Sequence, residues 1–198
     1  MRCEKALIGL IGVSMALFLA SQVFAQPAPI EGWDKAKLGM SVEELKESYK
    51  EEAKFFEMQE GREFWKETTP PESRVIGCTR LSTSGLKTSL GARSDIDFWF
   101  IDDKLWDIEI HIVNIFSSEK VEQFIRSLTR RYGKPYEEPD IFGDSYEWYR
   151  KNRRIMVWTS YDSEEKISSV DVFYTDGELN ELWKKRYDEW TSKQKKRS

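Results

Sequence analysis

Cys78 and His111 are the residues whose side chains could support nucleophilic catalysis. The chain has two cysteines and one histidine, and the other cysteine, Cys3, lies near the N-terminus. A catalytic thiol needs a neighbouring base, and His111 is the single imidazole that could serve, with Asp95 expected beside it. The alternative is that Cys78 is a small buried residue of an apolar strand. We favour this alternative and assign no catalytic residue.

His111 also belongs to a group of side chains that could bind a cation. In a predicted hairpin it shares one strand face with Asp95, Asp97, Asp107 and Glu109. Zinc sites use several His or Cys ligands, and calcium sites use a loop of oxygen ligands. One imidazole among carboxylates on a flat sheet is more typical of a solvated face. The sequence therefore predicts neither a metal site nor a cofactor.

Three cations, one tryptophan and His111 are the candidates for ligand binding. Ser82 to Ser94 is polar, and we predict a long loop there, a feature that often binds ligands. Cations in and beside this stretch could hold an anionic group, although solvated charges are the simpler interpretation. Trp99 is expected on the polar strand face, where it could anchor a partner or stack on a sugar ring, unless a helix covers that face. The predicted ligand-binding residues are Trp99, Arg80, Lys87, Arg93 and His111.

Residues 1–25 have the layout of a secretory signal peptide. Arg2 and Lys5 precede an apolar stretch from Ala6 to Ala20, and Val23-Phe24-Ala25 offers a cleavage site after Ala25. The stretch is shorter than the about 20 apolar residues that a transmembrane helix needs. We therefore expect a periplasmic protein with a Pro-rich linker at residues 26–32 and no stable membrane insertion after cleavage.

The predicted export also affects the net charge and the disulfide chemistry that we expect of the chain. The sequence has 31 basic and 35 acidic residues, a net charge of −4, and loss of Arg2, Lys5 and Glu4 would make it −5. An acidic balance argues against nucleic acid as a partner. Because Cys3 would leave with the signal peptide, Cys78 has no partner for an internal disulfide.

The first half of the domain begins with a well-marked helix. Ser41 and Glu44 fit a capping box, and the helix is predicted to run to about Glu52. Ala53 to Trp65 fits either helix or strand, and Arg74 to Leu81 is predicted as a strand.

A predicted hairpin follows, and the positions of its apolar residues bear on its loop. Ile96, Phe98 and Phe100 occupy alternate positions, as do Trp106, Ile108 and Ile110. Directly opposed residues share a face, so a loop with an odd number of residues keeps both apolar sets together. We predict a three-residue loop, Asp102-Asp103-Lys104, which pairs Phe100 with Trp106. The same register pairs Trp99 with Asp107, Asp97 with Glu109, and Asp95 with His111.

The second half repeats this order. An apolar stripe follows the Ser117-Ser118 cap and ends at Gly133 and Pro135, then come a hairpin around Lys151-Asn152, a strand from Ile167 and a last helix after Gly177. Trp106, Trp148, Trp183 and Trp190 are predicted as packing residues. We predict an α+β fold at residues 33–192, with a mostly antiparallel sheet, about three helices on one face, and two degenerate helix-plus-strands halves. Residues 193–198 are predicted as a basic tail.

The start of the first helix carries a motif of small exported bacterial α+β proteins. Gly39-Met40-Ser41-Val42-Glu43-Glu44-Leu45 resembles the G-M-[ST]-x-x-[EQ]-[VL] helix start of the SmpA/OmlA (BamE-type) outer-membrane assembly lipoproteins and of domains with a β-lactamase-inhibitor-protein-like fold. The lipid-anchoring Cys of the assembly lipoproteins is missing. The resemblance implies helices on an antiparallel sheet and a function carried out by protein contact.

These observations lead to one main functional hypothesis and two alternatives. We expect an exported, non-enzymatic periplasmic protein that binds a protein or cell-envelope component through its sheet face and loops. The alternatives are a protein that binds a small ligand or carbohydrate through Trp99 and the 82–94 loop, and a thiol-dependent hydrolase.

Overall fold

The computed structural model describes residues 27–86, 88, 90–115, 117–140, 143–162, 164 and 166–196. The predicted signal peptide, Lys87 and the last two residues of the predicted basic tail lie outside the described residues. For residues 85, 86, 91–93 and 140 the structure describes the backbone alone.

An eight-stranded antiparallel sheet forms the centre of the fold. Its strands lie in the order β3-β4-β5-β6-β10-β9-β8-β7. The α+β class and the antiparallel sheet are thus confirmed. A separate two-stranded sheet joins β1 and β2. The strands are β1 (Gly32–Trp33), β2 (Ala36–Lys37), β3 (Lys66–Glu67), β4 (Cys78–Leu86), β5 (Gly91–Ile101), β6 (Lys104–Ile115), β7 (Tyr136–Asp140), β8 (Gly143–Arg150), β9 (Arg153–Tyr161) and β10 (Ile167–Asp176).

The chain order places helices before each group of four strands. The described residues form helices α1 (Val42–Ser48), α2 (Lys50–Glu60), α3 (Pro71–Val75), α4 (Ser118–Tyr132) and α5 (Gly177–Lys195). Helices α1 and α2 precede β3 to β6, α4 precedes β7 to β10, and β6 pairs with β10 at the junction. This order agrees with the two predicted helix-plus-strands halves.

One side of the sheet carries the main core. Helices α1, α2 and α4 supply Leu45, Phe56, Val121 and Leu128, and Tyr49 between α1 and α2 joins them. The same cluster includes inward-facing residues of β4, β5, β6, β8, β9 and β10. The strand residues alternate because successive side chains point to opposite faces of a sheet. The largest of these fully buried strand side chains are Phe98, Phe100, Ile96, Ile108, Ile110, Trp148 and Ile155.

Helix α5 packs on the opposite side of the sheet. Leu179, Leu182, Trp183 and Trp190 pack against a second cluster that contains Ile76, Cys78, Ile101 and Trp106. The sequence predicted all the helices on one face, whereas the C-terminal helix covers part of the other. Its stripe of aromatic residues therefore closes one end of a face that stays open elsewhere.

The helix start at Ser41 is confirmed, and the helix end differs. The Ser41 side chain accepts a hydrogen bond from the Glu44 amide, and Glu44 accepts from the Ser41 amide, which completes the capping box. The helix is interrupted at Tyr49, whose ring is buried and whose hydroxyl donates to Asp34 over 3.1 Å. A second helix, α2, then runs to Glu60, so most of the ambiguous stretch from Ala53 is helical.

Two predictions between residues 71 and 94 are wrong. Pro71 begins a short helix that ends at Val75, so the strand begins at Cys78 and not at Arg74. The polar stretch from Ser82 is not a long loop, because β4 and β5 extend through most of it. Polar side chains are accommodated here because Ser82 bonds to Thr68, which follows β3, and to Asp97 on β5.

The β5–β6 hairpin has a shorter loop than predicted. Asp102 and Asp103 form a two-residue turn with φ of 49° and 58°, as a type I′ turn requires. Phe100 pairs with Leu105, and the register shifts so that Trp106 is the extra residue of a β-bulge. Beyond the bulge, the predicted pairs Trp99–Asp107, Asp97–Glu109 and Asp95–His111 are confirmed.

Contacts outside the hairpin explain why the shorter loop is adopted. Asp103 accepts the Val42 amide at the start of α1 over 2.9 Å. Leu105 exchanges backbone hydrogen bonds with Gly39 and Met40, both 2.7 Å long. Leu105 therefore takes the core position that the prediction gave to Trp106.

The ends of the described chain are more ordered than predicted. Ile30, in the predicted linker, is 1% exposed within the main core, and the Ala28 amide donates to the Arg131 carbonyl over 3.1 Å. Helix α5 continues to Lys195, into the predicted tail. Among the described residues, no helix is long and apolar enough to cross a membrane.

Candidate functional site

The face of the sheet opposite α1, α2 and α4 carries most of the candidate residues. We call it the polar sheet face. Its side chains form three cross-strand rows that follow from the observed register. The rows are Arg80–Trp99–Asp107–Thr175–Arg154–Tyr149, Ser82–Asp97–Glu109–Phe173–Met156–Glu147, and Ser84–Asp95–His111–Asp171–Trp158–Ser145.

The centre of this face is a shallow acidic cleft. It has a volume of about 140 Å³ and is lined by Asp95, Asp97, Glu109, Ile110, His111, Asp171 and Phe173. The Nδ1 atom of His111 lies 2.5 Å from the Asp171 carboxylate, which fixes the orientation of the imidazole. Of the described residues, no three His, Cys, Asp or Glu side chains converge as metal ligands would.

Two carboxyl groups, Glu109 in the cleft and Asp107 beside it, are shielded from water. Burial raises the pKa of Asp107 to about 7, and the Thr175 hydroxyl, which donates to Asp107 over 2.6 Å, works in the opposite direction. Burial also raises the pKa of Glu109, with the Asp97 carboxylate adding to the effect and the Trp99 indole and Arg80 opposing it. Both carboxyl groups therefore keep their protons to a higher pH than freely solvated carboxyl groups do.

Arg80 is held by its neighbours at the edge of the face. Its guanidinium lies 4.9 Å from the centre of the Trp99 ring and 3.6 Å from the Asp97 carboxylate. It also donates to the hydroxyl and the carbonyl of Thr68 over 2.8 and 2.9 Å. The guanidinium donors that the sequence prediction assigned to an anionic ligand are therefore engaged in contacts within the protein. Lys87 lies outside the described residues, and of Arg93 the structure describes the pairing of its backbone with Val113.

Trp99 lies under α5. It packs against the second cluster together with Trp183 and Trp190. This position agrees with the alternative interpretation, in which a helix covers this part of the face. Trp99 is therefore a packing residue beside the cleft. The exposed position that the sequence prediction gave to Trp99 is occupied by another tryptophan.

Trp158 is the exposed tryptophan of the polar sheet face, with 45% of its surface accessible. It pairs with Asp171 on one side and Ser145 on the other, at the rim of the acidic cleft. A Cβ at Gly143 would lie 3.1 Å from the Trp158 Nε1 atom and 1.6 Å from the Thr159 carbonyl oxygen, so this position requires glycine. Sequence reasoning missed Trp158, although the alternation of Ile155, Val157 and Thr159 in a predicted strand would have placed it outward.

The structure separates the residues of the proposed thiol-dependent hydrolase. Cys78 pairs with Ile101 and His111 pairs with Asp95, which places them about 20 Å apart along the strands. Cys78 is 3% exposed, and burial raises the pKa of its thiol to about 11. A buried, protonated thiol without an imidazole nearby is poorly placed for nucleophilic attack.

The fold and this face define the protein as an α+β protein with one sheet side closed by helices and an acidic, partly aromatic surface on the other. The chain belongs to the TP0088 domain family, whose family model matches residues 31–184. No curated protein and no solved structure matches the chain.

Proposed function

We propose that the protein is exported and binds a basic protein partner through the polar sheet face, without catalysing a reaction. The observation that carries this proposal is the acidic cleft with Trp158 at its rim, on strands that no helix of the described residues covers at that end. Aromatic anchors surrounded by charged groups are typical of protein interfaces.

Charge on the polar sheet face favours a basic partner. Four carboxylates line the cleft, at Asp95, Asp97, Glu109 and Asp171. The arginines of the face are already next to carboxylates, because Arg80 lies 3.6 Å from Asp97 and Arg154 lies 3.9 Å from Glu147. A surface with this excess of negative charge attracts cationic partners and increases their association rate.

Exposed aromatic residues extend the surface beyond the cleft. Tyr149 and Tyr136, which are 54% and 64% exposed, lie on β8 and β7 in the same rows as Arg154 and Glu147. Such side chains supply large contact areas at low entropic cost. Together with Trp158 they form a contact area that crosses the second half of the sheet.

The shape of the site favours a protein over a small molecule. Pockets for small ligands have volumes of about 300–1,000 Å³ and enclose most of the ligand. The cleft, at about 140 Å³, has room for a single side chain of a partner. A lysine or arginine of a partner fits its size and its charge.

Site-specific photo-crosslinking tests this proposal. A photoreactive amino acid replaces Trp158 in the full chain expressed in its own cells, and a matched chain carries it at Phe55, an exposed aromatic position on α2. We expect a protein adduct from position 158 and none of the same mass from position 55. The adduct should weaken with salt and with Asp97→Asn/Asp171→Asn, because the contact is electrostatic.

Two outcomes would contradict the binding proposal. Equal adducts from both positions would show that the polar sheet face is not the interface, and an adduct indifferent to salt and to the two Asn substitutions would exclude a basic partner. The export part is tested separately by mass spectrometry of the chain from periplasmic extract. We expect its first residue to be Gln26, and recovery of unprocessed chain from the cytoplasm alone would reject export.

A further inference from the structure

A second charged surface lies where the described chain begins. Pro27 approaches Gly133, since a Cβ on that glycine would lie 4.0 Å from the Pro27 side chain and 2.9 Å from the Arg150 guanidinium. Arg131 accepts the Ala28 amide at its carbonyl. Arg131 and Lys134 lie at the C-terminal end of α4, and Arg150 and Lys151 lie at the β8–β9 turn. We call these four cations the N-terminal basic patch.

The charges of this patch are not neutralised within the described chain. None of its four side chains is in an ion pair with a described residue. Arg150 also has a buried Nε atom without a hydrogen-bond partner among the described residues. By contrast, Arg153, which lies next to the patch, is paired with Asp176 and donates to the Ile30 carbonyl.

A groove runs between the patch and the N-terminal segment. It has a volume of about 840 Å³ and is lined by Pro27, Pro29, Ile30, Arg150, Lys151, Asn152 and Arg153. Among the described residues, no carboxylate lines this groove. The acidic residue of the N-terminal segment, Glu31, lies 3.8 Å from Lys37. The groove is therefore suited to anionic groups, in contrast with the acidic cleft.

The sequence that precedes Pro27 indicates what faces this patch. The apolar stretch ends at Ala20, and the intervening residues can span no more than about 25 Å when fully extended. While that stretch is in a membrane, this reach keeps Pro27 within about 25 Å of the phospholipid headgroups. Removal of the stretch after Ala25 would add an α-amino charge beside the same cations.

We infer that the N-terminal basic patch binds the anionic phospholipid surface of the membrane across which the chain is exported. Several Lys and Arg next to a membrane-inserted segment are attracted by anionic lipids, and each contributes to the affinity. This surface is distinct from the polar sheet face, which has the opposite charge. Binding at the patch would leave that face available to a protein partner.

Vesicle flotation of the full chain tests the inference. Vesicles of phosphatidylcholine alone are compared with vesicles that also contain phosphatidylglycerol, so that the contribution of the apolar stretch is the same in both. We expect tighter binding to the anionic vesicles, reduced by salt. Lys134→Gln/Lys151→Asn, at two exposed positions, should lower this anionic preference by about tenfold or more. Asn is chosen at 151 because the backbone there has φ of 54°.

A matched variant and two further measurements make the result decisive. Lys46→Gln/Lys66→Gln removes the same charge from exposed positions elsewhere and should keep the anionic preference. An equal loss in both variants, or no loss in the first, would overturn the inference. Inorganic phosphate is tested separately as a competitor, and we expect it to act only as a screening salt. If phosphate at low concentration displaced the protein from the vesicles and raised its thermal stability, the patch would be a discrete anion site instead. Thermal unfolding of each variant confirms that the fold is intact.

Discussion

The two sides of the sheet are built from the same strands but have different roles. On the helix side, Phe98, Ile108 and Val172 occupy successive strands and are buried by α1, α2 and α4. One residue further along, Trp99, Glu109 and Phe173 face the other way. The period of two in a strand allows one side to hold the fold together while the other carries exposed charge.

The polar sheet face is itself divided into a covered and an open part. Helix α5 covers the end near the Asp102-Asp103 turn, where Arg186 forms two hydrogen bonds of 2.8 and 2.6 Å to Asp102. The end with His111, Asp171 and Trp158 is open. Burial at the covered end raises the pKa of Asp107. The comparison predicts a gradient for the truncation of aromatic side chains: their loss should lower stability most in the core, less beneath α5, and least at the open end.

The largest effect is expected on the helix side. Phe98→Ala removes a fully buried ring in contact with Tyr49 and Trp65 and should lower the free energy of unfolding by about 4 kcal/mol. Phe173→Ala, the same substitution on the opposite side, should cost about 1 kcal/mol or less, because that ring stays partly exposed. Denaturant unfolding measures both. Equal costs would show that the two sides do not differ as described.

Asp107 should make stability fall as pH rises. Burial raises its folded-state pKa to about 7, well above the value for an unfolded Asp, so the folded form holds a proton that the unfolded form releases. The cost is absent below about pH 4 and complete above about pH 7. Asp107→Asn should therefore stabilise the protein by up to about 4 kcal/mol at pH 8 and leave it nearly unchanged at pH 4.

Asp188, an exposed carboxylate on α5, provides the control for Asp107. Asp188→Asn removes an exposed charge and should change the free energy of unfolding by less than about 0.5 kcal/mol at either pH. The explanation would be wrong if Asp107→Asn destabilised the protein at pH 8, or if its effect did not depend on pH.

Local patterns in the sequence predicted part of this two-sided arrangement. Period-two alternation predicted the pairs Phe98–Ile108 and Asp97–Glu109, and a capping box predicted the start of α1. These signals are local. The side on which α5 packs depends on contacts between distant residues, such as Arg186 with Asp102, and no local pattern specifies it.

Trp106 shows how one non-local contact changed a register. Parity alone favoured a three-residue loop, whereas the bonds from Leu105 to Gly39 and Met40 stabilise a two-residue turn and leave Trp106 in a bulge. The same shift carried a large ring from the predicted core to the α5 side. It also explains why Trp99, next to it across the strands, became a packing residue and not an exposed anchor.

Removal of the ring that covers Trp106 should have an intermediate effect. Trp183 stacks on Trp106 with ring centres 5.9 Å apart and an interplanar angle of 21°. Trp183→Ala should lower the free energy of unfolding by about 2 kcal/mol and should also remove the near-ultraviolet circular dichroism that a stacked tryptophan pair produces. Trp158→Phe, at a tryptophan outside every ring pair of the described residues, should retain that signal. Loss of the signal in both would show that it does not report on α5.

The smallest effect on stability is expected at the open end, together with the largest effect on binding. Trp158→Ala removes a ring that is 45% exposed and should change the free energy of unfolding by less than about 0.5 kcal/mol. Phe55→Ala, at a more exposed aromatic position on α2, should do the same. The two variants should differ in complex formation with the partner found by crosslinking, because the first removes a central anchor and the second removes a residue remote from the cleft. A loss of more than about tenfold in affinity for Trp158→Ala alone is the expected result. If Trp158→Ala instead unfolded the protein as readily as Phe98→Ala, the open end would belong to the core, and its exposed aromatic residues would need no partner.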